Sequence, residues 1–222
     1  MNKEIADNLK NKAKTEKNKE SVKPTVINDD LIRKYLIEYN KENQIFDMND
    51  EPLWNLDHLA LSYKNIIEID NLMGLDKLTT LQLDNNIICK IHNIEHLVNL
   101  QWLDLSFNLI SKIEGLDTLS NLTDLSLYNN KIQELEGLDK LNKLNVLSVG
   151  ENLLKSHEKA ITYLVGLNNN LEVLKLAGNR WNKVGTASED DYKLYAIEML
   201  KKPLLKYLDY QLISSDQRND AK

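Results

Sequence analysis

The sequence predicts an α/β solenoid, and three observations carry that prediction. Residues 78–143 divide without a gap into three 22-residue units, LTTLQLDNNIICKIHNIEHLVN, LQWLDLSFNLISKIEGLDTLSN and LTDLSLYNNKIQELEGLDKLNK. Each unit places apolar residues at its first, fourth, sixth, eleventh, fourteenth, seventeenth and twentieth positions, and Asn at its ninth. In the middle copy these are Leu100, Leu103, Leu105, Ile110, Ile113, Leu116 and Leu119, with Asn108. The same phase continues on both sides, from Leu56 to Asn179. A fixed period of this length identifies stacked structural units, each of which buries its apolar face on its neighbours. The fold expected is a leucine-rich repeat, with short parallel strands on the concave face and 3₁₀ turns or short helices on the convex face. A helical cap should close its N-terminal end and a leucine-rich-repeat cap its C-terminal end.

Residues 1–24 carry seven Lys against four acids and almost no branched or aromatic side chains. Such a stretch buries too little to offset the entropy of ordering, so a disordered basic tail is expected there. Residues 25–55 follow as the N-terminal cap. Asn28 or Asp29 offers an N-cap for a helix over Asp30–Lys41, where Leu31, Ile32, Tyr35, Leu36 and Tyr39 form one stripe. Ile45, Phe46, Leu53 and Trp54 should complete this cap, with Trp54 in its core.

The repeats span 56–182. In each, LxxLxL alternates at period two and reads as a strand whose leucines turn inward. About six units fit, and five have the ninth-position Asn: Asn86, Asn108, Asn130, Asn152 and Asn179. That amide can bond the backbone of the bend that leaves the strand. The first unit has Lys64 there instead, so its bend is expected to be looser. The remainder of a 22-residue unit is too short for a long helix and favours a 3₁₀ turn. The unit beginning at Leu144 is longer, and SHEKAITYLVGL within it predicts a convex helix carrying Ala160, Ile161, Leu164 and Leu167. Over 183–213 the C-terminal cap should form a helix from Asp190 to Lys201, stopped by Pro203, and then a strand-like LLKYLDY. Tyr192, Tyr195, Met199 and Leu200 would seal the core. Residues 214–222 read as a polar frayed end.

Composition excludes several function classes. Residues 56–182 hold sixteen acids against eleven Lys and Arg, which argues against nucleic-acid binding, since phosphate contacts need a clustered positive face. Basic or mixed protein surfaces suit this body better. Cys89 is the only cysteine, so no internal disulfide forms and a reducing compartment is expected. The first twenty residues contain no apolar signal-peptide core, and no stretch approaches the roughly 20 apolar residues of a membrane span. An intracellular protein with no membrane partner is therefore expected.

No chemistry-bearing motif emerges. The glycines are scattered, Gly74, Gly115 and Gly137 among them at bends, and no phosphate-cradling loop is present. His92 and His96 lie four apart, but HNIEH offers no third ligand, so no metal is expected. Cys89 lacks an identifiable base partner. Asp84, Asp104 and Asp124 fall at the seventh, fifth and third positions of successive units, a diagonal on an open surface. There, nothing is expected to exclude water or to separate their pKa values. No catalytic residue, cofactor site or metal site follows from the sequence.

The outward residues of the strands say more. The third positions are His58, Thr80, Trp102, Asp124, Val146 and Val173, and the fifth are Ala60, Gln82, Asp104, Ser126, Ser148 and Lys175. Trp102 should stand exposed at the centre of the concave sheet, with Phe107 and Tyr128 toward the strand ends. A large aromatic among small polar residues on a rigid surface fits a binding hot spot. The candidate protein-binding residues are Gln82, Asp84, Trp102, Asp104, Phe107, Asp124 and Tyr128.

The wording of the repeats adds a resemblance. LQLDNNIICKI, WLDLSFNLISKIEGLDTLSNLTDLSLYNNKI, EDDYKLYAIEMLKKPLLKYLDY and TVINDDLIRKY resemble the leucine-rich repeat domain of the dynein regulatory complex subunit 3 family, across roughly residues 25–213. The resemblance implies a non-catalytic scaffold of the ciliary axoneme, in the nexin link between doublet microtubules. Coiled-coil subunits of the dynein regulatory complex, and dynein or tubulin, would be its partners. Localisation to the cytoplasm, cytoskeleton and cilium axoneme would follow. That family continues beyond its repeats into a long coiled coil. No heptads follow the repeats here, so either a shortened paralogue or a chain whose coiled coil is provided by another subunit is expected. Two other functions remain open at this point. One is a regulatory subunit of a Ser/Thr phosphatase, and the other is a different ciliary leucine-rich protein such as a dynein light chain.

Overall fold

The structure is a computed structural model that describes residues 23–42, 53–167, 170–183, 189–200 and 205–220. The basic tail over 1–22, Ile45, Phe46, the side chain of Tyr39 and the helix stop at Pro203 lie outside these residues.

Eight strands form one sheet in simple chain order: β1 His58–Ala60, β2 Thr80–Gln82, β3 Trp102–Asp104, β4 Asp124–Ser126, β5 Val146–Ser148, β6 Val173–Lys175, β7 Tyr207–Leu208 and β8 Gln211–Leu212. β1 to β7 run parallel, and β8 turns back antiparallel on β7. The repeat period sets the register. His58, Thr80, Trp102, Asp124, Val146 and Val173 pair across neighbouring strands, and so do Ala60, Gln82, Asp104, Ser126, Ser148 and Lys175. The central Leu of each of the first six strands points the other way and is buried. With the other leucines and isoleucines of the repeat these form one continuous core, each side chain worth about 1.5–3 kcal/mol of burial.

On the convex side the middle units do not form helices. They run through successive tight turns, in which Leu97, Leu119 and Leu141 donate backbone bonds to Ile94, Leu116 and Leu138, three residues back. Gly137 is needed at one such bend. Its φ is +68°, and a Cβ there would lie 2.5 Å from the carbonyl oxygen of Ile113 in the preceding unit. The longer fifth unit makes α2, His157–Gly166, capped by Ser156, whose hydroxyl accepts from the Lys159 N–H, and it buries Ala160, Ile161 and Leu164. Tyr163 ties this helix to the preceding unit. Its hydroxyl accepts from Leu138 N–H and donates to Asp139, each at 2.9 Å. Partial burial raises that hydroxyl's pKa to about 12.

The ninth-position asparagines join one unit to the next. Asn108 donates to the carbonyls of Leu83, Leu105 and Ser106 and accepts from Ile88 N–H. Asn130 repeats the pattern one unit later, on Leu105, Leu127, Tyr128 and Ile110. Each amide thus satisfies its own bend and the preceding one. The bend at Lys64, with no such amide of its own, has two left-handed residues, Tyr63 and Asn65, and draws its partners from neighbouring segments. Asn86 reaches back to accept from Lys64 and Ile66 and donates to Leu61, while Asn65 donates to the Lys23 carbonyl. Thr25 also bridges Ile66 in parallel, so the segment around Thr25 acts as a partial extra repeat.

At the N-terminal end α1 spans Asp29–Glu42. Asn28 caps it by accepting from Leu31 N–H, and Ile32, Tyr35 and Leu36 are buried against the first repeat. Trp54 is not core: it lies 58% exposed in a 3₁₀ turn, with the Lys77 ammonium 4.8 Å from its ring centroid. That ammonium also donates to the side-chain Oδ1 of Asn55, and this contact keeps the indole on the outside.

At the other end α3, Glu189–Met199, buries Tyr192, Ala196 and Ile197, with Leu200 just beyond it. Tyr195 is partly buried, but Met199 faces solvent and does not help to seal the core. Asp209 takes over the role of the asparagines in the last turn. It accepts from the N–H groups of Leu176 and Ala177 and from the Tyr192 hydroxyl. The chain end is not simply frayed either: Ser215–Asp220 form a short helix, α4. Ser214 and Gln217 cap it reciprocally, each side chain accepting from the other's N–H.

Candidate functional site

The candidate residues divide between two parts of one surface. Gln82, Trp102, Asp104 and Asp124 stand on β2, β3 and β4 and face outward from the concave sheet. Asp84, Phe107 and Tyr128 sit beyond the strands, on the rim where the chain bends away. Trp102 is 39% exposed, between Thr80 and Asp124 on the flanking strands. Alternation forces this exposure: with Leu103 inside, its neighbours must point out.

The acids are held in small hydroxyl networks. Asp104 accepts from the N–H of Ser106 at 2.9 Å and from its hydroxyl at 2.5 Å, and that hydroxyl lies 2.6 Å from Ser126 Oγ. Asp84 accepts from the Ser62 hydroxyl and the Asn85 amide, and Asp124 from the Thr123 hydroxyl. The expectation that nothing here excludes water or separates these acids fails at Asp104. Desolvation by the packed sheet raises its pKa, partly offset by the Ser106 bonds, with Asp84 adding to the rise. At the start of the sheet, burial lowers the pKa of His58, which holds it neutral at pH 7 despite Asp57. The early strands therefore present a negative face.

The rim is aromatic. Phe107 is 44% exposed and meets Tyr128 edge-on, with ring centroids 5.4 Å apart. Tyr128 in turn lies over Gly150, where a Cβ would come within 3.3 Å of its ring. The Lys175 ammonium sits 3.6 Å from the Tyr128 centroid and 4.2 Å from that of Tyr210, and it donates to the Tyr210 hydroxyl. Lys175 and Tyr210 were not among the candidates. Lys175 was visible as the one cation of the fifth-position row. The pair Asp209-Tyr210, between the apolar runs KYL and QLI, has the length of a hairpin loop and was the available signal for Tyr210.

The other singled-out residues have local roles. His92 lies 3.4 Å from Glu68, and His96 shares a hydrogen bond with the Leu72 carbonyl, so each contacts the preceding unit. Cys89 is exposed in a loop. Among the described residues no group of three His, Cys, Asp or Glu side chains is placed to hold a metal ion, and no helix is long and apolar enough to cross a membrane.

A family model described as leucine rich repeats in two copies matches residues 98–140, which include Trp102, Asp104, Phe107, Asp124 and Tyr128. The chain is a leucine-rich repeat protein. Proteins of this class are typically non-catalytic and mediate contacts with other proteins. No match was found among curated protein sequences. Among solved structures, internalin C2 of Listeria monocytogenes is similar at 21% identity with a TM-score of 0.59, over 80% of this chain and 72% of that one. Internalin F of the same organism gives 24% identity and a TM-score of 0.54, over 68% of this leucine-rich repeat protein but only 40% of the internalin chain. A chain from the Drosophila melanogaster SNF/U2A′ complex reaches 30% identity over 74% of this protein and 78% of that one, with a TM-score of 0.45. The internalins share the leucine-rich repeat fold, and their likeness extends no further than that.

Proposed function

We propose that the concave sheet docks another protein around Trp102, and that the chain serves as a scaffold subunit of the ciliary axoneme, in an assembly of the dynein regulatory type. The observation that carries the docking reading is the exposed indole on a strand-borne, rigid surface, flanked by a structured acidic patch. Trp gives large contact area for little lost entropy, and the acids around it supply selectivity for basic or mixed partners. The axonemal part rests on the repeat wording WLDLSFNLISKIEGLDTL and its neighbours.

The test is fractionation of motile cilia carrying the tagged chain, wild type or Trp102→Ala. The wild type should resist detergent and leave with high salt, while Trp102→Ala should appear in the detergent-soluble pool. The substitution removes an exposed ring, so the melting temperature should move by less than about 3 °C, the equivalent of roughly 1 kcal/mol in a chain of this size. A soluble wild-type chain that co-purifies with phosphatase activity would sink the axonemal reading. Retention of Trp102→Ala on the axoneme would sink the docking face.

A further inference from the structure

The outward third-position row continues past Trp102 and Asp124 to Val146 and Val173, and Tyr210 closes its far end. Together they line a groove of about 180 Å³ on the concave surface. Its two ends differ in charge. Asp124 stands at one end, with Asp104 diagonal to it on the preceding strand, and Lys175 stands at the other. The middle is apolar.

The positive end is held in place at a cost. Tyr210 and Asp209 form the two-residue loop between β7 and β8, with φ of 66° and 49°. Asn or Gly fits such a turn with little strain, whereas a tyrosine there is strained. Tyr210 is 76% exposed, so burial does not compensate. What its ring does is clamp the Lys175 ammonium against Tyr128. The cation is thereby fixed at the groove end.

Spacing identifies the occupant. Strands lie about 4.8 Å apart, so β4 and β6 are separated by about 10 Å; Lys175 stands in the Ser126 row, two residues (about 6.6 Å) along from the Asp124 row, so the two positions lie about 12 Å apart on a diagonal. A helix laid along that diagonal rises 1.5 Å per residue, which puts residues i and i+7 about 10.5 Å apart on one face, within side-chain reach of both, with i+3 or i+4 between them. We propose that this groove receives one amphipathic helix of another protein, with a basic side chain over Asp124, an acidic one seven residues away over Lys175, and an apolar one between them on Val146. The inference rests on the docking face proposed above and specifies what it takes.

Labelled alanine-based helical peptides of about 18 residues test this by fluorescence anisotropy. The first carries Arg and Glu at i and i+7 with Leu at i+4. The second has the same composition with the charges at i and i+5, roughly 140° apart around the helix. The third has Arg at both i and i+7. Wild-type protein should bind the first about tenfold more tightly than the second or third, the worth of one good charge pair. Lys175→Glu should transfer that preference to the third peptide. If reversal unfolds the hairpin, as circular dichroism would show, Lys175→Met should still erase the difference between the first and third. Equal binding of the first two, an unchanged preference in the Lys175 variants, or no binding of any peptide would overturn the helix. If the peptides fail while Trp102→Ala still releases the chain from the axoneme, the docking face stands and its occupant is not this helix. If Trp102→Ala releases nothing, the docking face itself is wrong.

Discussion

Asn108 and Phe107 are adjacent in the chain and answer to different demands. Asn108 is buried and bonded to two bends at once, in a column filled by Asn in five units. Phe107 occupies the eighth position with φ of 54°, where the neighbouring units have Asn85 at 55° and Asn129 at 52°. Asn tolerates that left-handed backbone through local hydrogen bonding, and a phenylalanine does not. One residue therefore has the side chain that the fold favours, and its neighbour has one that the fold disfavours. In this solenoid the inward and ninth-position columns specify the structure, while the departures fall on the outward rows and the rim, where the docking face is proposed. Tyr63 and Tyr210, also left-handed and exposed, belong with Phe107.

The sharpest way to test that contrast is to remove the column. Asn130→Ala leaves the carbonyls of Leu105 and Leu127 and the N–H of Ile110 without their amide partner in a buried bend. Unsatisfied buried groups cost about 1–3 kcal/mol each before relaxation, so a net loss of about 3 kcal/mol is expected, measured by urea unfolding. Because each amide serves its own unit and the one before, the unfolding should also become less cooperative at the junction of the third and fourth units. A loss below about 1 kcal/mol would mean that the turns hold themselves and that the column is secondary.

These columns were legible because a solenoid repeats its environment. One register, read from Leu100 to Leu119, fixes the burial of every equivalent residue, and the convex helix announced itself as extra length. Pairings between units were less legible. The Asn bonds reach 20 and 25 residues back, and the support for the Lys64 bend comes from Asn86 and from Lys23, neither of which is near it in sequence. Ends resisted most. No neighbouring copy constrains them, so Trp54 read as core when Lys77 holds it outside, and Met199 read as a seal when it faces solvent. On the candidate site, alternation placed Trp102 and Asp104 correctly, but the clamp on Lys175 depends on a two-residue loop from another element.

Phe107→Asn probes the other side of the contrast, with a smaller effect of opposite sign. It relieves roughly 1–2 kcal/mol of left-handed strain and forfeits about 0.5 kcal/mol of exposed ring contact with Tyr128. The variant should therefore be more stable by about 1 kcal/mol, visible as a higher urea midpoint with unchanged slope. It should nevertheless bind the axoneme less well in the fractionation assay. A destabilised variant would show that Phe107 serves the fold after all.

Asp104 falls between the two classes, which makes it the finest test. Its carboxylate faces outward yet is desolvated enough that its pKa rises on folding. A raised acid favours the folded state while protonated, so its contribution is fully present below the unfolded value of about 3.9 and is lost as pH rises through the folded one. Asp104→Asn keeps an acceptor for the Ser106 N–H and does not titrate. The variant should therefore gain stability relative to wild type as pH rises from the unfolded value through the raised folded one, then hold level. Partial exposure keeps the difference under about 1 kcal/mol. If the difference shrank with rising pH instead, the Ser106 and Ser126 hydroxyls would be stabilising the charged form, and Asp104 would belong with the columns that build the fold.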